Sequence, residues 1–388
     1  MLLIRGEYEI FLSIDGEPVD LNESNLEEIN IIESVSDAVP SCKIILYEDL
    51  DRYDSFQVYD GAIIRLSYRS VRYSSTDEVT VSEFRIFQVD IEPDTNRDRI
   101  TIYGYYNAPD YFKDSGFEFI EGTSQRVASE IARKSSLVSD TDISNDNQIW
   151  IRQGLTGYLF LQQVARSAYL DRDSAYAVAV TRKGILRYYN IGSRRDRPPL
   201  WRFISTDDQS DKPRDESDIV VNSYSTRLDS GLLNRFSAYG SLSREFDICS
   251  GNESDPQDLA VRRMKKSTDK IQLNRDLANP PRYVGSPFNV GNVHSNYSRA
   301  RLQNVRILST FSTNQRVMTS SVKDVNLLDR VSLRLHTTSS NRNRLREYMD
   351  GLYFVDRIST KIDYRTIMIG FNLTREGYNT SRETPGLL

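Results

Sequence analysis

The sequence predicts a mainly β protein with an α+β insert: two related small antiparallel β-barrels, the second discontinuous, plus an α+β domain between them. Three observations lead there. The first part of the chain is a run of short apolar-alternating segments separated by turn formers such as Asp15-Gly16 and Asp94-Thr95-Asn96, the pattern of small closed or sandwiched antiparallel sheets. A segment near the other end repeats part of this pattern: Val89-Asp90, Arg99 and Gly104 recur as Val355-Asp356, Arg365 and Gly370, an offset of 266 residues (89 to 355, 104 to 370). Between the two, apolar residues switch to helical spacing behind threonine caps.

In chain order, residues 1–108 carry strand candidates at Tyr8–Ser13, Ile29–Val35, Ser41–Tyr47, Ala62–Tyr68, Glu83–Ile91 and Arg99–Tyr106. Closing such strands into a barrel removes exposed edges. Residues 109–215 form the α+β domain. Thr123-Ser124 offers an N-cap ahead of Val127, Ala128, Ile131 and Ala132, and Thr156 another ahead of Leu159, Leu161, Val164, Ala165 and Ala168; each set lies on one helical face. A hairpin follows, Ala175–Val180 to Ile185–Tyr189, turned by Arg182-Lys183-Gly184. The second barrel takes residues 216–243 and 297–378, with strands predicted at Ile219–Leu228 and Asn234–Gly240, a helix at Ser298–Phe311 carrying Ala300, Leu302, Val305, Leu308 and Phe311, and then the repeated hairpin. A polar insertion, 244–296, interrupts it with a short helix candidate around Leu259–Lys266, and 379–388 is a tail.

The repeat extends beyond the hairpin. Phe84–Ile91 and Arg99–Tyr106 match Gly351–Ile358 and Arg365–Asn372, and each hairpin is preceded by a strand candidate opening on an aspartate, Asp60 and Asp329. A duplicated small β-domain accounts for this; two convergent hairpins are the plainer alternative.

Composition bounds the function. At 388 residues the chain holds several domains, and no stretch approaches the roughly 18 apolar residues of a membrane helix. The opening Met-Leu-Leu-Ile-Arg-Gly-Glu runs into charge at once, so neither export by a signal peptide nor a membrane anchor is expected. Cys42 and Cys249 match no metal spacing and read as separate buried thiols. A net charge of −5 argues against a dedicated nucleic-acid binder. The basic runs Arg194-Arg195-Asp196-Arg197 and Arg262-Arg263-Met264-Lys265-Lys266 read as solvated faces.

No catalytic, cofactor or metal residues are assigned. His294 and His336 are the only histidines, too little for a histidine metal site or a Ser-His-Asp relay. The chain has no Gly-x-Ser-x-Gly elbow, phosphate loop or Cys-x-x-Cys pair. Adjacent carboxylates such as Glu27-Glu28 could in principle serve glycan hydrolysis, but that pair sits at the entrance of a strand with no cleft signature.

The domain order resembles the baseplate hub protein of T-even contractile-tailed phages, and the hub region of the VgrG spike proteins of type VI secretion. The local matches are Gly122-Thr123-Ser124 with its helix, Ile149-Trp150-Ile151-Arg152-Gln153-Gly154-Leu155-Thr156 with the apolar helix after it, the hairpin ending Gly184-Ile185-Leu186-Arg187-Tyr188, and the order of helix, strand and hairpin from Ser298 to Leu373. The resemblance implies a structural homotrimer in the virion tail baseplate, assembled in the host cytoplasm. It would bind a spike protein on one side and the tail tube or its initiator on the other, contact other baseplate proteins, and let DNA pass without specific binding. A trimer of chains with two related barrels would meet a sixfold tube while staying threefold towards the spike. Nothing after Thr380 resembles the needle fused to VgrG proteins, which points to a separate spike chain. Other readings are a carbohydrate-binding tail adhesin, using the many tyrosines as stacking platforms, and a tail-associated glycan hydrolase.

The insertion has no counterpart in the first barrel, and ordering it costs roughly 1 kcal/mol or more per residue. A partner is therefore expected to order it, with Arg262, Arg263, Lys265, Lys266, Pro280 and Pro281 as contact candidates.

Overall fold

The computed structural model describes residues 3–5, 8–19, 21–22, 24–48, 58–70, 80–93, 97–171, 173–205, 215–227, 242–245, 257–258, 282–285, 300, 303–304, 307–308, 311–320, 323–335 and 350–376. The alternating N-terminal segments form strands β1 (Leu3–Arg5), β2 (Tyr8–Ile14), β3 (Glu17–Pro18), β4 (Leu26–Ser34), β5 (Ser41–Glu48), β6 (Ile63–Ser70), β7 (Thr80–Glu92) and β8 (Asp98–Tyr106). Their inward residues form the core: Leu12, Ile29, Ile31, Ile44, Ile64, Leu66, Phe84 and Ile102 are all buried.

The insert follows as α1 (Pro109–Phe112), β9 (Phe117–Gly122), α2 (Ser124–Lys134), β10 (Val138–Thr141), β11 (Gln148–Gln153), α3 (Gly157–Ser167), β12 (Tyr176–Val180), β13 (Ile185–Asn190) and α4 (Ile191–Arg194). Both predicted caps form: the Thr123 hydroxyl accepts from the Arg126 N–H and the Thr156 hydroxyl from the Leu159 N–H, satisfying donors the helix cannot. β12 is buried along its whole length. Tyr176, Val178 and Val180 face the insert's own core, while Ala177 and Ala179 face the large β core. The hairpin is thus the layer shared by both, which explains why it reads as a continuous apolar run.

The chain then returns to β structure: β14 (Trp201–Ser205), β15 (Asp218–Val221), β16 (Ser223–Arg227), β17 (Leu242–Glu245), β18 (Gln257–Asp258), β19 (Arg282–Gly285), β20 (Phe311–Thr319), β21 (Arg330–Arg334), β22 (Gly351–Ile362) and β23 (Ile367–Glu376). The segment expected as one strand from Ile219 is two, because the chain bends at Asn222. β17, β18 and β19 make a three-stranded sheet of their own. The strand expected at Asn234–Gly240, the helix around Leu259–Lys266, both histidines and Cys249 lie outside the described residues.

Two expectations are corrected. The β portions are not two closed barrels but one continuous 15-stranded sheet. The physical reason lies in β4, whose outer edge pairs with β22 in the other half, Ser34 opposite Arg357 through Ile29 opposite Ile362, rather than closing its own half. Nor is the sheet wholly antiparallel, since β14 runs parallel to both β15 and β21. In the expected helix from Ser298, residues 300, 303, 304, 307 and 308 are helical, but Phe311 opens β20. The buried face includes polar Gln303 and Asn304. The Asn304 amide donates to the Arg166 and Ala168 carbonyls at 3.0 and 2.8 Å and its oxygen accepts from the Tyr176 N–H at 3.1 Å, so it closes the end of α3.

Candidate functional site

The two halves of the sheet share one strand order, although β14 runs parallel to both its neighbours where its counterpart β2 runs antiparallel to both. Neighbour by neighbour, the first runs β1-β2-β6-β7-β8-β5-β4 and the second β15-β14-β21-β22-β23-β20-β16. Each long central strand carries a β-bulge opposite its hairpin partner: β7 between Ile86 and Gln88, β22 between Val355 and Arg357. The same backbone knot sits beside each bulge. Gly61 N–H donates to the Ile86 carbonyl and Ile86 N–H to the Ala62 carbonyl, both at 2.9 Å; Leu328 N–H donates to the Val355 carbonyl at 2.8 Å and Val355 N–H to the Asp329 carbonyl at 3.1 Å. Gly61 and Leu328 both have positive φ, 95° and 65°, so this tight entry into the strand is made once with glycine and once with a buried leucine.

This register moves the repeat. Ile86 matches Val355 and its partner Gly104 matches Leu373, an offset of 269 (86 to 355, 104 to 373) in place of 266. Val89 lies opposite Ile102 and packs partly against the core, whereas Val355 is wholly buried opposite Leu373. Asp90 lies opposite Thr101 and accepts from the Gln88 amide at 3.0 Å. Asp356 is itself the bulge residue, and its carbonyl accepts from the Val35 N–H at 3.0 Å. Burial raises the Asp356 carboxyl above its ordinary value. Arg99 holds Glu27 and Glu92, each at 2.9 Å, while Arg365 sits in the turn, its guanidinium 4.7 Å from the Tyr364 ring centroid. Gly104 faces Cys42 and Phe84, where a Cβ would come within 3.0 Å of the Cys42 sulfur; at Gly370 a Cβ would come within 2.7 Å of the Ser359 hydroxyl. The eight matched residues thus belong to two like hairpins but do not occupy matching places, because the shared letters lie 266 apart and the ladder partners 269. The bulges themselves carry no sequence signature that alternation could reveal.

What covers the two central strands differs. The second half of β22 is flanked by β23 and by β4, and Ile358, Thr360 and Ile362 are all buried. Among the described residues, the second half of β7, Gln88–Glu92, pairs with β8 alone, and Phe87 and Ile91 stand 41% and 46% exposed. Phe87 stacks on Tyr105 with ring centroids 4.3 Å apart, and Tyr105 is exposed too. An open edge beside exposed apolar side chains is a place where another strand adds. Among the described residues, β16, the counterpart of β4, pairs with β20 alone.

The carboxylates that could suggest chemistry are engaged elsewhere. Glu27 is tied to Arg99, whose hydrogen bond holds it below the usual carboxylate range. Glu28 pairs with Lys361 at 2.7 Å. In the basic run, Arg194 binds Asp142 at 2.6 Å and lies over the Tyr189 ring, so it fastens the insert rather than forming a free cationic face. Cys42 is a buried free thiol, pushed well up by burial. No helix among the described residues is long and apolar enough to cross a membrane. Arg262, Arg263, Lys265, Lys266, Pro280 and Pro281 lie outside the described residues.

The chain matches no protein-family model and no curated protein. Its fold is that of solved tail proteins. It is similar to the 43 kDa tail protein of prophage MuSo2 from Shewanella oneidensis, with a TM-score of 0.60 at 12% identity over 95% of this chain and 98% of that one. It is also similar to a tail protein from Neisseria meningitidis MC58, with a TM-score of 0.58 at 10% identity over 95% and 97%. A chain of the PdpA-VgrG complex aligns at a TM-score of 0.49, 10% identity, over 98% of this chain and 66% of that one.

Proposed function

We propose that this chain is a structural, non-enzymatic component of a phage tail or contractile injection machine: a homotrimeric baseplate hub that adapts a sixfold tail tube to a threefold spike and leaves a channel for DNA. The observation that carries this reading is the matched strand order of the two halves, with the bulge and its backbone knot repeated in each. A chain that holds two like units, joined edge to edge through β4 and β22, presents six units as a trimer. The fold shared with tail proteins supports the same reading.

In this scheme residues 1–108 and residues 216–243 with 297–378 are the ring-forming units, the second joined by β14 of the preceding segment, the rest of 109–215 braces them, and 244–296 meets the neighbouring subunit or another baseplate protein. The spike and the tube, or its initiator, are further partners. The reading is tested by sedimentation of the purified chain. A trimer of 44.7 kDa chains, about 134 kDa, is expected at micromolar concentration, because a ring interface is large enough to resist dilution. A stable monomer across that range, or turnover on peptidoglycan, overturns it.

A further inference from the structure

We infer that the open edge of β7 takes β16 of a second copy of this chain, in a register that the chain's own β4·β22 seam already writes out. The inference rests on the hub reading for the count of copies, and on the pairing within one chain for the strands.

β4 lies against β5 as β16 lies against β20: Ile29 is opposite Ile44 and Asn30 opposite Lys43, as Tyr224 is opposite Val317 and Ser225 opposite Arg316. β5 and β20 in turn meet their hairpins alike, Cys42 opposite Gly104 and Gln315 opposite Leu373. So β16 is β4's counterpart, residue by residue. On the other side, the bulges match Gln88 with Arg357, Ile91 with Thr360 and Glu92 with Lys361. Within the chain, β4 pairs antiparallel with β22, Ser359 opposite Ile32, Thr360 opposite Ile31 and Lys361 opposite Asn30. Carried to the other half, this places Asp90 opposite Arg227, Ile91 opposite Thr226 and Glu92 opposite Ser225.

The same chain cannot supply this contact to itself, because its β4 already occupies the seam at β22 and its β16 lies on the far side of the second half. A second copy can. The site wants a cover: Ile91 is 46% exposed where its counterpart Thr360 is 1% exposed, and Phe87 and Tyr105 add an aromatic pair at the position where the second half has Asp356 and Thr374. Each copy offers one β7 edge and one β16 edge, so the contact is heterologous, and with the three copies of the hub reading it closes into a ring. In that ring the seam within each chain and the seam between chains alternate.

The test is disulfide trapping in the full chain with Cys249→Ala, using Ile91→Cys with Thr226→Cys and, separately, Glu92→Cys with Ser225→Cys. Adjacent cross-strand pairs alternate between wider and closer Cα spacing, so one of the two is well placed for a disulfide. Ile91→Cys with Ser225→Cys is the control, since a one-residue slip turns the side chains to opposite faces. Mild oxidation should give a covalent trimer in at least one registered pair and none in the control. A trimer by sedimentation with no cross-link in either pair overturns the strand pairing and leaves the hub reading standing. A monomer throughout overturns both, and cross-linked chains of open length support the pairing while overturning the ring. Ile91→Lys gives an independent check at a position exposed in the single chain. It should leave the thermal transition of the fold in place and weaken association at least tenfold, and unchanged association counts against the proposal.

Discussion

The Glu33 carboxylate on β4 accepts two hydrogen bonds from Arg182, one from its backbone N–H at 2.7 Å and one from its guanidinium at 2.5 Å. Both side chains are buried, at 1% and 5% exposure. The bond fastens the turn of the insert hairpin to the strand that joins the two halves of the sheet. Burial opposes the Arg182 charge, and Glu33 outweighs it, so the guanidinium is held above its ordinary value. Removing one partner leaves a buried charge, so Glu33→Ala or Arg182→Ala should each cost about 3–5 kcal/mol, while Glu33→Leu with Arg182→Met should cost less than either. Urea unfolding of the three variants measures this.

Gly61 has φ of 95°, and nothing lies within 4 Å of where a Cβ would stand. Its role is conformational rather than steric. Gly61→Ala should therefore cost about 1–3 kcal/mol through backbone strain alone, read as a shift in the urea midpoint with an unchanged slope.

At Gly104 the constraint is space, with the Cys42 sulfur 3.0 Å and the Phe84 Cβ 3.1 Å from a Cβ. Gly104→Ala should cost about 1–3 kcal/mol by overpacking. Adding Cys42→Ala removes the nearest atom and should recover part of the loss, a coupling that a double-mutant cycle resolves.

Asp356 gives a pH dependence of definite sign. Burial raises its carboxyl in the folded state, with Arg357 pulling the other way. A raised folded value means the native state holds the proton more tightly than the unfolded chain does. The stability this confers is full below the ordinary carboxylate value and is lost as pH rises through the folded value. Asp356→Asn should thus gain on the parent as pH rises through the carboxylate range, and the two should converge towards pH 3. Thermal unfolding across pH 3–7 checks this.

Much of the local structure was legible in the sequence. The alternation at Ile29–Val35, Ser41–Tyr47 and Arg99–Tyr106 became β4, β5 and β8, and Thr123 and Thr156 became caps, because these features depend on neighbours a few residues away. Asn304 was hidden, since a polar side chain buried to bond the α3 carbonyls breaks the apolar pattern that marks a helix face. The seam of β4 on β22 joins residues more than three hundred positions apart and leaves no local trace. The repeat was visible, but its register was not: the ladders match Ile86 with Val355 and Gly104 with Leu373, an offset of 269, whereas the shared letters lie 266 apart, and letters alone do not show which residues face each other. An acid at Glu33 amid Ile31, Ile32 and Val35 was the one signal that could have marked the junction with the insert.

The central claim, that two like units per chain build a closed threefold ring, is tested most directly by electron microscopy of the purified chain. The account predicts class averages of a hollow ring in which each of three chains contributes two similar lobes. Elongated fibres, or single chains with no ring, would contradict it.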